Sequence, residues 1–309
     1  MGRLCRRWHC RFVSRVLFLL LVSPVGLLAA PQVDERLEYR ISYQGGLTAM
    51  ARLDICDAVL ESSWQTVAVN GEAAYKAQIQ ISSEAHKKME QFYPFRYQLT
   101  SYFSTDLQRS ILFDKRREGR KGKERHEIVH FDWDEKVTER YKRRKPQQAG
   151  GGFRSEVTEM LHFLGYAPAD FRRSGKAGQK LLTNMLDHLS LLQAVRGQPL
   201  AVGDERRFTI SDGKKVLNYL VRVQTRGPLE QDSRQRDLFK VRFDAFKAGR
   251  WSGQPAHPAV LVWMTADERR IPVRFVIDYA LGRFVIQLKQ SVEGQMAKTL
   301  PLAQPSPAR

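Results

Sequence analysis

Asp187, His188 and Ser190 place an acid, a base and a nucleophile within four residues. In a hydrolase these types would form a relay with the imidazole between carboxylate and hydroxyl. The surrounding run, 180–196, has apolar residues at Leu182, Met185, Leu186, Leu189, Leu192 and Val195, which is helical spacing with Gly197 as a stop. One helix cannot set three near neighbours in that order. Structural roles fit better: Asp187 at a helix start or local break, Ser190 bonding to backbone, and Arg196 near the helix C-terminus, where a cation is favoured. His126 and His130 stand four apart on a predicted strand, on one side but about 13 Å from each other, too far for one zinc. Cys56 sits near the end of a predicted strand, on the face opposite its apolar residues, with no neighbour that would lower its pKa. Asp267, Glu268, Arg269 and Arg270 look like a polar site, yet a hairpin loop between two apolar runs explains them. No G-x-S-x-G, H-E-x-x-H, paired C-x-x-C or phosphate-cradling glycine loop occurs. The expectation is a non-catalytic protein without metal or cofactor.

One stretch suggests binding instead. Phe92, Tyr93, Phe95, Tyr97, Leu99, Tyr102 and Phe103 follow one another closely, and Tyr93, Phe95 and Tyr97 are the candidate lining of a pocket for a lipid or sugar. The competing role is core packing, because aromatic rings dominate buried area in sheet proteins.

The elements that must position these residues are mostly strands. Leu37, Tyr39, Ile41 and Tyr43 alternate with polar residues, Gly45-Gly46 offers a turn, and a return strand is expected through Leu47, Ala49, Ala51, Leu53 and Ile55. Strands at 64–70 and 74–82 flank Asn70-Gly71, a strong hairpin signal, and 84–91 reads as a polar connector or one helical turn. Three strands follow between 106 and 144, joined by basic turns such as 115–125, which read as solvated hairpin tips. Beyond the 150–152 glycine break, Phe153, Val157, Met160, Leu161 and Leu164 have helical spacing behind Ser155, a candidate cap. Strands return at 207–210, 216–224 and 238–246, and 260–288 reads as a three-stranded meander that closes the sheet, with Pro272 at the start of its second strand. The fold expected is mainly β: a curved antiparallel sheet or half-open barrel of about ten or more strands, with one or two packed helices.

Charge and leader narrow the partners. Arginines at 3, 6, 7, 11 and 15, an apolar run at 16–28 and small Ala29 and Ala30 have the layout of a secretory signal, 1–30. Thirteen apolar-dominated positions are too few for a comfortable span, since a spanning helix needs about 20, so a periplasmic protein is favoured over one held by an uncleaved anchor. Cleavage removes Cys5 and Cys10, leaving Cys56 alone and no internal disulfide. It also removes five of 51 basic residues, and 46 against 33 acidic ones leaves +13. For an exported chain that balance suits a lipid head group, lipopolysaccharide or a cell-wall polymer better than nucleic acid. Residues 31–300 read as one β-rich domain with a Gly-rich, helical insertion at about 146–180, and 301–309 as a disordered tail.

Three motifs carry a resemblance. The run Trp263 to Phe275 (WMTADERRIPVRF, with Asp267 and Pro272) resembles the C-terminal hallmark of the bacterial envelope proteins of domain-of-unknown-function family 3108 (DUF3108). DHLSLLQAVR, with Asp187, Ser190 and Arg196, resembles that family's D-x-L-S helix, and YRISYQGGLTAMARLDI resembles its opening hairpin. The resemblance implies an exported β-rich domain and brings no catalytic residues. The expected activity is binding an apolar or amphiphilic envelope molecule in the curved sheet. The alternatives are an envelope assembly protein that binds a protein partner, and an unrecognised envelope hydrolase.

Overall fold

Alternating apolar and polar residues build strands here because each residue turns its side chain to the opposite face from the last. A computed structural model describes residues 34–119, 122–144, 152–175, 178–229 and 235–293. The signal-like segment, the tail and most of the Gly-rich break lie outside these. The described chain forms β1 (Glu35–Gly45), β2 (Arg52–Val69), β3 (Glu72–Ser82), α1 (Lys87–Phe92), β4 (Arg96–Ser104), β5 (Ser110–Gly119), β6 (Lys123–Asp132) and β7 (Val137–Arg143). Then come α2 (Ser155–Phe163), β8 (Phe171–Arg173), β9 (Gln179–Lys180), β10 (Met185–Leu186), α3 (His188–Arg196), β11 (Glu205–Ser211), β12 (Val216–Gly227), β13 (Leu238–Lys247), β14 (Val260–Thr265), β15 (Pro272–Tyr279) and β16 (Gly282–Glu293).

All the strands join one open sheet in the order β10-β11-β12-β13-β14-β15-β16-β1-β2-β3-β4-β5-β6-β7-β8, with β9 also on β7. The pairing is antiparallel except for the short β10–β11 contact. The first and last strands pair in the middle, Ile41 opposite Ile286, so β14 to β16 do not close a barrel; they join two halves. The sheet is rolled. Ten strand spacings separate β11 from β5, about 48 Å if flat. Yet Lys115 Nζ on β5 donates to the Asp212 carbonyl, just past β11, at 2.8 Å.

Inside the roll lies α3. Leu189 packs with Leu37, Tyr39, Leu60, Phe113 and Phe131 of β1, β2, β5 and β6. Leu191, Ala194 and Val195 pack with Val221, Phe239, Val241 and Met264 of β12 to β14. The outer face of β5 to β7 is covered as well: Val157, Met160 and Leu161 of α2 and Phe171 of β8 sit on Leu112, Ile128 and Tyr141. That double covering leaves little distinction between core and surface strands around His126 and His130, both of which are buried.

Several sequence expectations need correction. The helix read at 180–196 starts only at His188, because the residues before it give their backbone to the sheet: Lys180 pairs with Val137, Leu181 N–H donates to the Lys136 carbonyl, and Met185–Leu186 pair with Thr209–Ile210. Leu182, counted in the apolar stripe, is exposed. Ser155 makes no cap; Arg154 holds the N-cap position, without a side-chain cap bond. The return strand begins at Arg52, since 46–48 is a 3-10 turn and Ala49 and Met50 have positive φ, and it runs through to Val69 as one strand with an irregularity after Ser63. The basic run at 115–125 is largely strand, not loop. A register shift beside Ile41 also turns Cys56 inward to join Ile41, Ala58 and Leu60.

Burial pushes the Cys56 thiol up to about 11. It is therefore expected to react with a thiol reagent at neutral pH only after unfolding. Mass-spectrometric labelling of native and denatured protein checks this, and rapid modification of Cys56 in the native protein contradicts it.

Candidate functional site

The motif residues at 187–196 meet at the two ends of α3, and the chemistry there is hydrogen bonding. Asp187 is the N-cap and is fully buried. Its Oδ1 accepts from the N–H of Leu189 (2.8 Å) and Ser190 (3.0 Å), while Oδ2 accepts from the hydroxyls of Ser101 on β4 and Ser110 on β5, each at 2.6 Å. Ser190 returns the contact: its Oγ accepts from the Asp187 N–H at 2.9 Å and lies 2.7 Å from Ser110 Oγ. His188 points elsewhere, with its ring 6.2 Å from that of Tyr219, so acid, base and hydroxyl are not aligned in a relay.

At the other end Arg196 is buried and forms an ion pair with Glu35 at the start of β1. Its guanidinium also donates to the carbonyls of Arg270 and Arg269, both at 3.2 Å. The 266–270 loop is therefore built as a receptor for the helix end. Asp267 Oδ1 accepts from Thr265 Oγ1 (2.6 Å) and from the N–H of Arg269 and Arg270 (3.1 Å each), and Arg270 Nη1 donates back to the Arg196 carbonyl at 3.0 Å. Pro272 offers its carbonyl to the Tyr39 hydroxyl at 2.8 Å. Trp263, half-buried on β14, has Lys240 Nζ and the Arg274 guanidinium each 5.7 Å from its ring centre. In the middle of the helix Gln193 donates to Ser62 of β2 at 3.1 Å. Asp187, Ser190, Arg196, Asp267 and Pro272 thus pin α3, and the loop and strand that receive it, across the roll.

A second polar cluster lies under α2. One ring nitrogen of His130 and one carboxylate oxygen each from Asp132 and Glu139 fall within 4.8 Å of one another, a spacing that suits a cation. Guanidinium groups already stand there: Arg154 Nη2 is 2.8 Å from Asp132 and 3.2 Å from Glu139, and Arg173 Nη2 is 2.7 Å from Glu139. Burial lowers the His130 pKa, which keeps the imidazole neutral beside them. His126, on the same face, bonds the buried Asp114 at 2.7 Å, and Asp114 also accepts from the Tyr166 hydroxyl at 2.8 Å. The two clusters fasten the insertion to the sheet.

The aromatic trio has a different character because it lies at an end of the roll. Tyr93 is exposed, while Phe95 and Tyr97 are half-buried with ring centres 5.9 Å apart. All three converge on Arg117 of β5. Its Nη2 donates to the Tyr93 hydroxyl at 2.8 Å, its guanidinium stands 5.5 Å over the Phe95 ring, and it pairs directly with Tyr97 across β4–β5. Tyr97 and Arg117 also line a cleft of about 340 Å³ with Arg96, Arg116, Gln98 and Glu118. Arg96 is held by Glu90 at 2.8 Å and Arg116 lies 3.5 Å from Asp114, whereas Arg117 has no carboxylate partner among the described residues. An arginine framed by three rings, at the mouth of a cleft, can hold an anion while the rings take apolar surface.

Arg117 is the residue the sequence reading missed. It lies in the basic run taken for a hairpin tip, but Phe113, Lys115 and Arg117 continue the period-two pattern of the strand, and that was the available signal. Lys115, one step inward, is largely buried and faces Glu127 at 3.5 Å.

Comparison with known proteins places the fold. No curated protein matches the chain. Among solved structures, the crystal structure of the beta-barrel-like protein of domain of unknown function DUF1849 from Brucella abortus is similar, with a TM-score of 0.51 and 12% identity over 86% of this chain and 100% of that one. At that identity the likeness is one of fold. Residues 38–289 match the family described as "Protein of unknown function (DUF3108)", a span that takes in most of β1, the pinned helix and the 266–270 loop, and the chain belongs to that family.

Proposed function

We propose that this is a non-catalytic, exported protein of the bacterial envelope that binds an anionic amphiphile at the rim formed by Tyr93, Phe95, Tyr97 and Arg117. The observation that carries the reading is Arg117: a cation framed by aromatic rings at a cleft mouth, with no ion-pair partner among the described residues. A phosphate or carboxylate head group meets the guanidinium and an apolar tail meets the rings. The interior of the roll is occupied by α3, so the ligand moves from the inside of the curved sheet to its edge. Residues 1–30 supply the export signal and the periplasm is the compartment; lipid or lipopolysaccharide fits the site better than a cell-wall polymer, because the rings favour an apolar tail.

Native mass spectrometry of protein purified from its own envelope, followed by lipid extraction, tests this. An amphiphile is expected to co-purify with the unaltered protein and to fall at least about tenfold in Arg117→Ala, consistent with loss of a charge-assisted contact. Equal lipid in both, or none in either, would sink the reading. A protein partner is the second reading, and one observation favours it: β10 covers only Thr209 and Ile210, which leaves Glu205 to Phe208 of β11 without a strand on that side among the described residues. Strand addition uses such edges. Photo-crosslinkers at Tyr93 and at Phe208 separate the two, since the first reading expects lipid adducts at Tyr93 and the second protein adducts at Phe208.

A further inference from the structure

Glu127 of β6 is shared by three lysines. Antiparallel pairing sets Lys115 of β5 on one side of it and Lys142 of β7 on the other, in a row on the inner face that also carries Phe113, Val129 and Phe131. Lys214, in the turn between β11 and β12, reaches the same carboxylate from across the roll. The Nζ atoms of Lys115 and Lys214 lie 3.5 and 3.1 Å from Oε2, and that of Lys142 lies 3.6 Å from Oε1. One ammonium group neutralises one carboxylate, so two positive charges are left over in the row. Like charges this close repel. The strain shows at Lys115, where burial lowers the pKa and the Lys214 charge lowers it further, against the opposing pull of Glu127 and Asp212.

The neighbouring groups do not balance the surplus. Arg140 and Asp212 also act on this row, with opposite signs. Asp212 Oδ1 is taken by the N–H groups of Lys214 and Lys215 at 2.7 and 2.8 Å. Further along the same strands Arg117 stands opposite Arg125, and neither has an ion-pair partner among the described residues. The row also opens outward: the side chains of Lys115 and Glu127 are 13% and 18% exposed, those of Lys142 and Lys214 35% and 47%. A small anion can therefore reach the lysines from solvent. A structural ion pair needs one lysine; three around one acid, two of them open to water, make a receptor for a further anion.

Charge decides which anion. A carboxylate or a phosphodiester carries one negative charge and leaves half of the surplus unmatched, whereas a terminal phosphoryl group carries about 1.5 to 2 near neutral pH and offers three acceptor oxygens. We propose that Lys115, Lys142 and Lys214 bind a terminal phosphoryl group. Lys115 is two residues from Arg117 on β5, about 7 Å along the strand, and pairs with Leu99, two residues from Tyr97. The assignment rests on the rim reading for the tail and narrows its head group: the amphiphile is a phosphate monoester or a diphosphate of an apolar alcohol.

Calorimetric titration of the full chain with dodecyl phosphate, dodecanoate and inorganic phosphate tests this, with both amphiphiles kept below micelle-forming concentrations. Dodecyl phosphate is expected to bind at least about tenfold more tightly than dodecanoate, the scale of one added charge-assisted hydrogen bond. Lys142→Ala/Lys214→Ala is expected to remove most of that difference. The double variant keeps the inner Lys115–Glu127 pair and loses two solvent-open side chains, so its urea midpoint should equal or exceed the parent's. A clear fall in midpoint would mean that the lysines serve Glu127, and it overturns the proposal. Equal binding of the two amphiphiles, or a double variant with the parent's preference, also overturns it and leaves the rim reading standing. Inorganic phosphate that binds as tightly as dodecyl phosphate, and is lost in the double variant, upholds the phosphoryl site and sinks the rim. Binding of none of the three overturns both.

Discussion

Arg196→Ala is expected to destabilise the protein by about 3–5 kcal/mol, the usual cost of removing one partner from a buried ion pair. The side chains of Arg196 and Glu35 are only 6% and 3% exposed, so water cannot replace the lost guanidinium. Two loop carbonyls, those of Arg269 and Arg270, lose a donor at the same time. A urea titration measures the effect as a fall in midpoint without a change in slope. Adding Glu35→Gln to Arg196→Ala should recover part of the loss, because the stranded charge is then gone. A cost below about 1 kcal/mol would place the pair among exposed salt bridges and remove the case for α3 being pinned at this end.

Asp187→Ala is expected to cost about 2–4 kcal/mol, from loss of an N-cap together with two buried hydroxyl partners. The carboxylate accepts four hydrogen bonds, and Ser101 and Ser110 are themselves fully buried. Asp187→Asn should cost less, since one oxygen can still accept from the Leu189 and Ser190 N–H groups while the amide answers the serines poorly. The same urea titration ranks the two. If alanine and asparagine behave alike, the cap rather than the link to β4 and β5 dominates. The two ends of α3 are far enough apart along the helix that the Arg196 and Asp187 effects should add.

Much of the architecture was legible because period-two alternation is dense in this chain. Residues 37–43 and 74–82 read as strands and lie within β1 and β3, 260–288 reads as a three-stranded meander and holds β14, β15 and most of β16, and the family resemblance rested on segments that pack against one another through Arg196, Asp267 and Pro272. The errors have a common cause. Residues 180–186 carry apolar side chains at helical spacing, but their backbone is taken by β7 and β11, contacts with partners up to 43 positions away that no local pattern records. Arg117 was hidden by composition, since a run of lysine and arginine looks like a solvated loop even when alternate members face inward. Arg196 was placed near a helix C-terminus and Asp187 at a helix start or local break, of which the structure has the start, yet Glu35, Ser101 and Ser110 could not be named as their partners. Those pairings depend on how a 16-stranded sheet rolls, which is a property of the whole chain.

The central pairing of β1 with β16 also sets when this protein can become itself. Ile41 meets Ile286, so the second edge of the first strand stays open until nearly 250 more residues have been made or delivered. Contacts of such separation are slow to form, so the β1–β16 seam is expected to be a late part of the sheet to assemble. A chain cut short before Gly282 leaves β1 on β2 and β15 on β14 with one open edge each, two adhesive edges in place of one seam. The arrangement works as a test of completeness: only a molecule that has arrived whole can bury the strand with which it began.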